Sequence, residues 1–232
     1  MILSDLLTAD NYRFERKFFS SSVTASQMVS IVKRHPKMFM VEYPDRQINN
    51  IYMDTLNMDN YRDNVMGCSK RIKVRIRWYG EQFGTISNPI LEFKLKNNAL
   101  GSKVSFPLKS IDVSNDKLNI ESIQNKFKDL NLSENIIDYL LSLKLSIMNR
   151  YYRKYFISFD KGFRITVDSS LEFIKLWAKQ NNLQIKIEDK NSSVLELKYG
   201  QHNDKEASLI SALFPFRMTR SSKYVLGVKH TC

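Results

Sequence analysis

Charged residues alternate with apolar residues along several short segments of the chain. Side chains on a β-strand point alternately to its two faces, so residues two apart share a face. Every second residue from Arg71 to Arg77 is basic, and the residues between them are Ile, Val and Ile. Four further segments show this alternation, with charged faces formed by Arg13, Glu15 and Lys17; Glu92, Lys94 and Lys96; Arg164, Thr166 and Asp168; and Glu196 and Lys198. The pattern predicts five strands, each with one apolar face and one face of mixed, mostly positive charge.

This charge pattern is suited to binding phosphate together with a metal ion. Arginine binds phosphate oxygens in pairs through its planar guanidinium and keeps its charge when desolvated. Like charges along one strand repel unless an anion lies among them, and the interleaved Glu residues indicate a divalent metal rather than nucleic acid. A single strand of this kind also fits an open sheet whose charged face lies in water. Five together favour a closed antiparallel β-barrel, flanked by helices, whose charged lumen holds a polyphosphate and a metal.

The composition indicates a globular protein with a polyanionic partner. The 232 residues carry 36 Lys and Arg against 24 Asp and Glu, a formal net charge of +12. Hydrophobic residues make up 43% and aromatic residues 12% of the chain, which excludes disorder as the dominant state. Since no linker or internal repeat divides the sequence, we expect one domain over residues 1–232.

Several classes of protein are excluded by what the sequence lacks. No stretch approaches the roughly 20 apolar residues that a bilayer demands, and Met1–Asp10 shows no signal peptide. The two cysteines, Cys68 and Cys232, make no disulfide framework. These features predict a cytoplasmic protein without a membrane segment. The seven glycines form no P-loop or Rossmann fingerprint, and neither an HExxH zinc motif nor a GxSxG nucleophile elbow occurs.

The periodicity of apolar residues predicts an α+β protein with a dominant antiparallel sheet. We interpret Asp54-Thr55 as a strand end or cap rather than a metal site, and Cys68 as part of a hairpin turn. The predicted helices are one capped by Thr24 that stops at His35, one that opens at Ser133, and one over Asp204–Leu213. The predicted strands are Tyr12–Phe19, Gln47–Asp54, Lys70–Tyr79, Pro89–Lys96, Asn149–Phe159, Phe163–Phe173, Leu183–Glu188 and Val194–Lys198.

An ordered set of these segments resembles one known family. The set is Arg13–Phe18 (RFERKF), Ile51–Thr55 (IYMDT), Lys73–Gly80 (KVRIRWYG), Leu91–Lys94 (LEFK), Val194–Lys198 (VLELK) and the closing Ser222–Gly227 (SKYVLG). From about Arg13 to Val228 the chain resembles the VTC domain. That domain is the catalytic part of the vacuolar transporter chaperone polyphosphate polymerases, within the triphosphate tunnel metalloenzyme (CYTH-like) superfamily. The resemblance implies an antiparallel β-barrel tunnel, open at both ends.

The resemblance also implies roles for individual residues. The metal, usually Mn²⁺ or Mg²⁺, would be bound principally by Glu196, with Glu15 and Glu92 nearby. Catalytic side chains that line the tunnel and grip the phosphates would be Lys17, Arg75, Arg77, Lys94, Arg153 and Lys198. Further phosphate-binding side chains would be Lys103, Tyr151, Arg164, Ser222 and Lys223.

Two positions depart from the patterns of relatives. The superfamily's hydrolases open with Glu-x-Glu-x-Lys, whereas Arg13 stands where their first carboxylate would be. This difference disfavours a purely hydrolytic two-metal site and agrees with the polymerase branch. Around Lys103 to Leu108 the basic cluster common in relatives is reduced to Lys103 alone.

The function implied is a metal-dependent polyphosphate polymerase that moves the γ-phosphoryl group of ATP onto a growing polyphosphate chain. Positioning and charge neutralisation by Arg, Lys and metal would supply most of the catalysis. Three alternatives stay open: a tripolyphosphate or nucleoside triphosphatase, a non-catalytic polyphosphate-binding module, and a nucleic-acid binder, which the interleaved carboxylates oppose. The expected partners are ATP, polyphosphate or tripolyphosphate. Nucleic acid is not expected, and a membrane-protein partner is left open because the family's eukaryotic complex carries membrane segments.

Overall fold

The computed structural model describes residues 12–114, 118–176 and 186–231. The strands in these ranges are β1 (Phe14–Ser20), β2 (Met40–Asp54), β3 (Lys70–Tyr79), β4 (Gly84–Ile86), β5 (Ile90–Asn97), β6 (Leu100–Pro107), β7 (Ile111–Val113), β8 (Lys144–Ile157), β9 (Phe163–Lys175), β10 (Lys186–Asp189) and β11 (Ser193–Tyr199). The helices are α1 (Ala25–Lys33), α2 (Asp59–Met66), α3 (Ile120–Phe127), α4 (Glu134–Ser142), α5 (Asp204–Ala212) and α6 (Lys223–Thr231). None of these helices is long and apolar enough to cross a membrane.

Nine strands form one sheet in the order β1-β11-β9-β8-β2-β3-β5-β6, with β10 beside β9. Every pair in this sheet is antiparallel. The short strands β4 and β7 form a second, two-stranded sheet. The prediction of an α+β protein with a dominant antiparallel sheet is therefore confirmed.

The two ends of the strand order, β1 and β6, meet at a single place. The backbone of Arg13 exchanges two hydrogen bonds with that of Gly101, with N···O distances of 3.0 and 3.1 Å. In the described residues this is the one backbone bridge between the two ends, so the ladder is an open path rather than a ring. The prediction of a closed barrel is not confirmed by this topology.

The predicted alternation of charged and apolar faces is confirmed in the sheet. Directly paired residues on antiparallel strands share a face, and the pairs Lys17–Glu196, Arg75–Glu92 and Lys73–Lys94 are all in register. Side chains on strands that are not neighbours also meet here: Arg77 of β3 reaches Tyr151 of β8 across β2. The sheet therefore curves toward one side. We call this side the charged face; it carries Lys17, Arg75, Arg77, Glu92, Lys94, Arg153, Asp168 and Glu196.

The opposite face of the sheet is apolar and packs against helices. Val74, Trp78 and Phe93 lie in a buried cluster with Phe127 of α3 and Leu140 of α4. A second cluster joins residues of β9 and β11 to α1 and α5. Helix α1 begins at Thr24, whose side chain accepts from the Gln27 amide while Gln27 reaches back in a capping box. The helix predicted at this cap is confirmed.

Helix α6 lies on the other side of the sheet, against part of the charged face. Its Tyr224 and Val228 are buried in one cluster with Tyr52, Ile147 and Phe173. The hydroxyl of Tyr52 accepts from Arg75, and Ile147 is the direct partner of Tyr52 on β8, so these residues belong to the charged side. The resemblance implied a tunnel open at both ends; α6 covers this face toward the end where β2 finishes.

Asp54 shows why β2 stops where it does. The Asp54 carboxylate is fully buried and accepts from the backbone amides of Thr55, Asn60 and Tyr61, so it caps the start of α2. The hydroxyl of Tyr224 donates to the same carboxylate and fastens α6 to this corner. The interpretation of Asp54-Thr55 as a strand end and cap is confirmed.

Some elements differ from the prediction. Strand β6, the two-stranded sheet, α2, α3 as a separate helix, and α6 had no individual prediction. Strand β8 begins at Lys144, directly after α4, rather than at Asn149. Cys68 follows Gly67, which ends α2 in a left-handed conformation at φ 75°, so its assignment to a hairpin turn was wrong. The predicted strand Leu183–Glu188 lies partly outside the described residues, and its described end belongs to β10.

The close approach of α6 to the sheet generates a prediction at Gly227. A Cβ atom there would lie 2.4 Å from Ile147 Cδ1 and 2.6 Å from Phe173 Cδ1. Because side chains in a packed core leave no space for added methyl groups, we expect Gly227→Val to lower the free energy of unfolding by about 2–3 kcal/mol in urea denaturation. Lys229→Val, at an exposed position of the same helix, is the control and should cost less than about 1 kcal/mol. Equal stability of the two variants would contradict this packing.

Candidate functional site

The register of the sheet gathers the charged residues into connected groups on the charged face. Residues far apart in the sequence meet there: Lys73 of β3 donates to Ser222 Oγ, 149 positions away and just before α6, at 3.0 Å. Lysine and arginine side chains outnumber the carboxylates. The cations are Lys17, Lys73, Arg75, Arg77, Lys94, Lys103, Arg153, Lys198 and Lys223, and the carboxylates are Glu15, Glu92, Asp168 and Glu196.

Glu92 is the centre of the first group. Its Oε2 accepts from Arg75 Nε at 2.7 Å and forms an ion pair with Nη2 of the same guanidinium at 2.5 Å, while its Oε1 accepts from Lys103 at 2.9 Å. Arg77 lies 3.7 Å from Oε1. Burial alone would raise the pKa of Glu92, but these three cations outweigh it and hold the pKa well below its usual range. Both oxygens of Glu92 are thus engaged by the protein's own cations.

Asp168 is the centre of the second group. It is fully buried and accepts from Arg153 Nε at 2.5 Å and from NH2 at 2.7 Å. Lys223, at the start of α6, donates to the same carboxylate. Burial opposes the charged form of Asp168, yet Arg153 and Lys223 keep its pKa below the usual value. The carboxylate orients an arginine from the sheet and a lysine from a helix toward one place.

Tyr151 lies between the two groups. Its hydroxyl accepts from Arg77 at 3.3 Å, and Lys223 lies over its ring with Nζ 4.7 Å from the ring centroid. Burial raises the pKa of Tyr151, but Arg153 and Arg77 more than offset it and lower the pKa to about 8. The Arg153 guanidinium also lies over this ring, 5.3 Å from the centroid.

Glu196 differs from the other buried carboxylates. Lys17 and Lys198 approach it at 3.2 and 3.3 Å, and Arg153 at 3.9 Å, and together they outweigh burial and hold its pKa well below the usual range. Its Oε1 is nevertheless buried without an aligned hydrogen bond. Glu15 shares Lys17 with it, at 3.5 Å. This site therefore offers a carboxylate oxygen that Lys17 Nζ approaches to 3.2 Å without an aligned hydrogen bond.

These two carboxylates fit a divalent metal that is shared with phosphate. Within the described residues, no group of three or more His, Cys, Asp or Glu side chains is arranged to hold a metal ion by itself. Mg²⁺ is commonly held by only one or two carboxylates plus substrate phosphates. Glu196, whose Oε1 accepts no aligned hydrogen bond, and Glu15 match that donor set. Glu92 does not, because arginine and lysine side chains engage both its oxygens.

Lys94 and Lys73 are cations without a carboxylate partner among the described residues. Lys94 is surrounded by other positive charges, and burial together with Arg75 lowers its pKa well below the usual value, against the opposing effect of Glu15 and Glu196. Lys73 has only the Ser222 hydroxyl. This positive excess is the electrostatic basis for binding a polyanion.

Most of the residues predicted from the sequence are brought together, and one is not. Lys17, Arg75, Arg77, Lys94, Tyr151, Arg153, Lys198, Ser222 and Lys223 all contact or face the groups just described. Arg164 lies at the rim, exposed and paired with Glu42 at 2.9 Å. Sequence reasoning had placed Lys73 and Asp168 on the charged face but assigned them no role. Lys73 lies on the same alternating strand as Arg75, so the alternation alone could have marked it as a candidate site residue.

Comparison with known protein families identifies the family of this chain. The family model for the VTC domain matches residues 12–232. The chain belongs to the VTC domain family. The resemblance stated from the sequence is thereby confirmed. Membership supports a function in polyphosphate or triphosphate chemistry and implies a divalent metal, and the residues of this VTC domain that fit such a metal are Glu196 and Glu15.

Solved structures share the fold of this VTC domain. A candidate adenylyl cyclase from Hippeastrum, described as having a dominant triphosphatase activity, is 10% identical with a TM-score of 0.56; the match covers 95% of this chain and 96% of that one. A candidate adenylate cyclase from Vibrio parahaemolyticus is 12% identical with a TM-score of 0.50, covering 94% and 99%. At these identities the likeness shows the fold alone. No curated protein matches the chain.

Removing the carboxylate of Asp168 should destabilise the domain. In Asp168→Asn, Arg153 and Lys223 lose the charge that neutralises them in a buried place, so we expect a loss of about 3–5 kcal/mol in urea denaturation. Asp45→Asn breaks an exposed pair with Lys154 and should cost less than about 1 kcal/mol. A loss at Asp168 no larger than that at Asp45 would show that the buried group does not depend on this charge.

Lys73 should make stability depend on pH. Burial, with Lys17 and Arg71 nearby, lowers its pKa to about 7. In the unfolded chain the pKa of lysine is about 10.4, so between about pH 7 and pH 10 the unfolded state binds the extra proton. Stability from this group therefore rises with pH, by up to about 1.4 kcal/mol per pH unit.

We expect the free energy of unfolding of the wild type, minus that of Lys73→Met, to increase between pH 7 and pH 9 in chemical denaturation. The same comparison with Lys70→Met, at an exposed position of the same strand, is the control and should be flat. A difference at Lys73 that does not change with pH would contradict the assigned environment.

Proposed function

We propose that this VTC domain is a metal-dependent polyphosphate polymerase that transfers the γ-phosphoryl group of ATP to the end of a polyphosphate chain. Family membership supports phosphate chemistry of this kind. The observation that favours a transferase is that adjacent cations keep the buried carboxylates in their ionised form. The pKa values of Glu92, Asp168 and Glu196 are all held below their usual range by adjacent cations.

Carboxylates in this state are poor general bases, since a base works best when its pKa lies near the working pH. A water nucleophile must lose a proton, whereas a terminal polyphosphate oxygen is already ionised at neutral pH. In the transfer, the bond between the γ-phosphorus and the bridging oxygen of ADP breaks, and a new bond forms from the acceptor oxygen to that phosphorus. No protein group has to accept a proton. The site supports this reaction better than hydrolysis.

The residues of the charged face are assigned to positioning and charge stabilisation. Arg75 and Arg77, oriented by Glu92, and Arg153 and Lys223, oriented by Asp168, would bind the phosphate oxygens from two sides. Lys94 and Lys73 pair with no carboxylate in the described residues, and a bound polyanion would favour their charged forms. Phosphoryl transfer depends mainly on such positioning and electrostatic stabilisation.

We assign Mn²⁺ or Mg²⁺ to Glu196 and Glu15, where it would neutralise charge on the phosphates when bound. Lys17 lies between the two carboxylates and would keep them oriented. Glu92 is assigned the separate task of holding Arg75 and Arg77. In this proposal the charged face is one wall of a phosphate-binding tunnel closed across the Arg13–Gly101 bridge. The expected setting is the cytoplasm, where ATP is present.

An activity assay with purified protein tests this proposal. With ATP and Mn²⁺ we expect polyphosphate on a gel and release of ADP, and Glu196→Gln should lower the rate by about two orders of magnitude, as for the loss of one major electrostatic contact. Glu206→Gln, at an exposed ion pair with Lys37, is the matched control and should keep full activity.

Two results would contradict a polymerase, and a third would contradict the metal site. Release of orthophosphate without polymer would identify a triphosphatase, the activity described for the Hippeastrum protein of the same fold. Tight binding of polyphosphate without any turnover, across several metals, would identify a binding module. Full activity in Glu196→Gln would remove Glu196 from the metal site.

A further inference from the structure

Arg46 occupies an unusual place at the end of the charged face that α6 does not cover. It is the direct partner of Arg153 across β2 and β8, so it shares the face of that residue. Its guanidinium carbon lies 5.2, 5.4 and 5.6 Å from the ring centroids of Tyr43, Tyr79 and Tyr155. Three tyrosines from three strands thus surround one cation, and we call this group the Arg46 cage.

The charge of Arg46 is not used by the protein. It makes no hydrogen bond or ion pair with any residue in the described ranges. The carboxylates nearest to it in sequence are engaged elsewhere: Glu42 pairs with Arg164 at 2.9 Å, and Asp45 pairs with Lys154. Aromatic rings attract a guanidinium without accepting conventional hydrogen bonds, so these contacts leave its N–H groups without oxygen acceptors. The cage therefore holds an arginine in place with its hydrogen-bond donors free.

The cage is open to solvent as well as to the charged face. Tyr43 and Tyr79 are 42% and 45% exposed, and Arg46 is half-buried. Its tyrosine rings are already occupied by the guanidinium, so they are not free platforms for a nucleobase. What the cage lacks is an anion at the edges of the guanidinium, and planar guanidinium edges match phosphate oxygens in pairs.

The distance along β2 between Arg46 and the level of Arg75 indicates which part of a phosphate chain the cage would bind. Tyr52 of β2 is the direct partner of Arg75, and six residues separate it from Arg46. At about 3.3 Å per residue this is roughly 20 Å along the strand from the level of Arg75, whereas Arg153 lies directly opposite Arg46. A triphosphate centred on Arg75 and Glu92 therefore ends near Arg153, short of the cage. A longer phosphate chain that follows the charged face would arrive at the cage.

We propose that the Arg46 cage is an outer phosphate subsite that binds a polyphosphate chain where it leaves the charged face, and so favours long chains over tripolyphosphate. This inference rests on the proposed function, because it needs a polyphosphate seated on the central groups. The cage adds a selectivity for chain length that those groups do not supply. Its ligand is the phosphate chain itself.

Calorimetric titration with tripolyphosphate and with long-chain polyphosphate tests the subsite. We expect Arg46→Gln to weaken binding of the long chain about tenfold, the size of one lost charge-assisted contact, and to leave tripolyphosphate binding unchanged. Arg46→Lys should recover only part of the long-chain affinity, since an ammonium cannot bind phosphate through two parallel donors. Arg62→Gln removes the same charge from an exposed pair on α2 and should affect neither ligand.

The outcomes separate the subsite from the proposed function. If the wild type binds neither ligand, the proposed function fails and the subsite fails with it. If both ligands bind and Arg46→Gln changes neither, or weakens both equally, the subsite alone is overturned. Unchanged tripolyphosphate binding in the variant also shows that it has folded, so a loss confined to the long chain can be assigned to the cage.

Discussion

The whole arrangement depends on one electrostatic constraint: a curved sheet encloses more positive than negative charge. Placing several cations in a poorly solvated space is unfavourable unless counter-charge lies among them. Glu92 and Asp168 supply part of it, each engaging an arginine with at least one lysine. Lys73 and Lys94 form no ion pair with a carboxylate among the described residues, and burial together with neighbouring cations lowers their pKa values. The free protein therefore keeps a deficit of negative charge that a polyanion would remove.

The carboxylates on this face divide into two kinds by their contacts. Asp168 accepts from Arg153 through both oxygens, and Glu92 accepts from Arg75 at one oxygen and from Lys103 at the other. Both carboxylates therefore fix the direction of an arginine and have no oxygen left for a metal. Glu196 is approached by Lys17 and Lys198 at 3.2 and 3.3 Å and more distantly by Arg153, and its buried Oε1 accepts no aligned hydrogen bond. The same residue type thus orients cations in one place and can hold a metal in another.

The alternation of charges made much of this predictable from the sequence. A period of two in Arg71–Arg77 fixes which side chains share a face, and the strands themselves follow from it within a few residues. Pairing between strands is not contained in any one segment, so the sequence pattern could not tell that Glu92 would meet Arg75 and Lys103 rather than a metal. Helix α6 was missed because its apolar residues, Tyr224 and Val228, pack on the side of the sheet that the charge pattern marks as polar. Strand β6 was missed because it alternates weakly, with Lys103 as its one charged residue.

The two ends of the charged face differ, and that difference has consequences for a uniform ligand. A polyphosphate chain has the same charge at every repeat, so the ligand itself cannot specify a direction or a register. At one end α6 packs over the face, fixed by Tyr224 on Asp54, and brings Ser222 and Lys223 into contact with Lys73 and Asp168. At the other end the side chains around Arg46 are half-exposed and aromatic. Direction along the chain must then come from the protein, through a covered end that carries helix-borne donors and an uncovered end that carries a caged arginine.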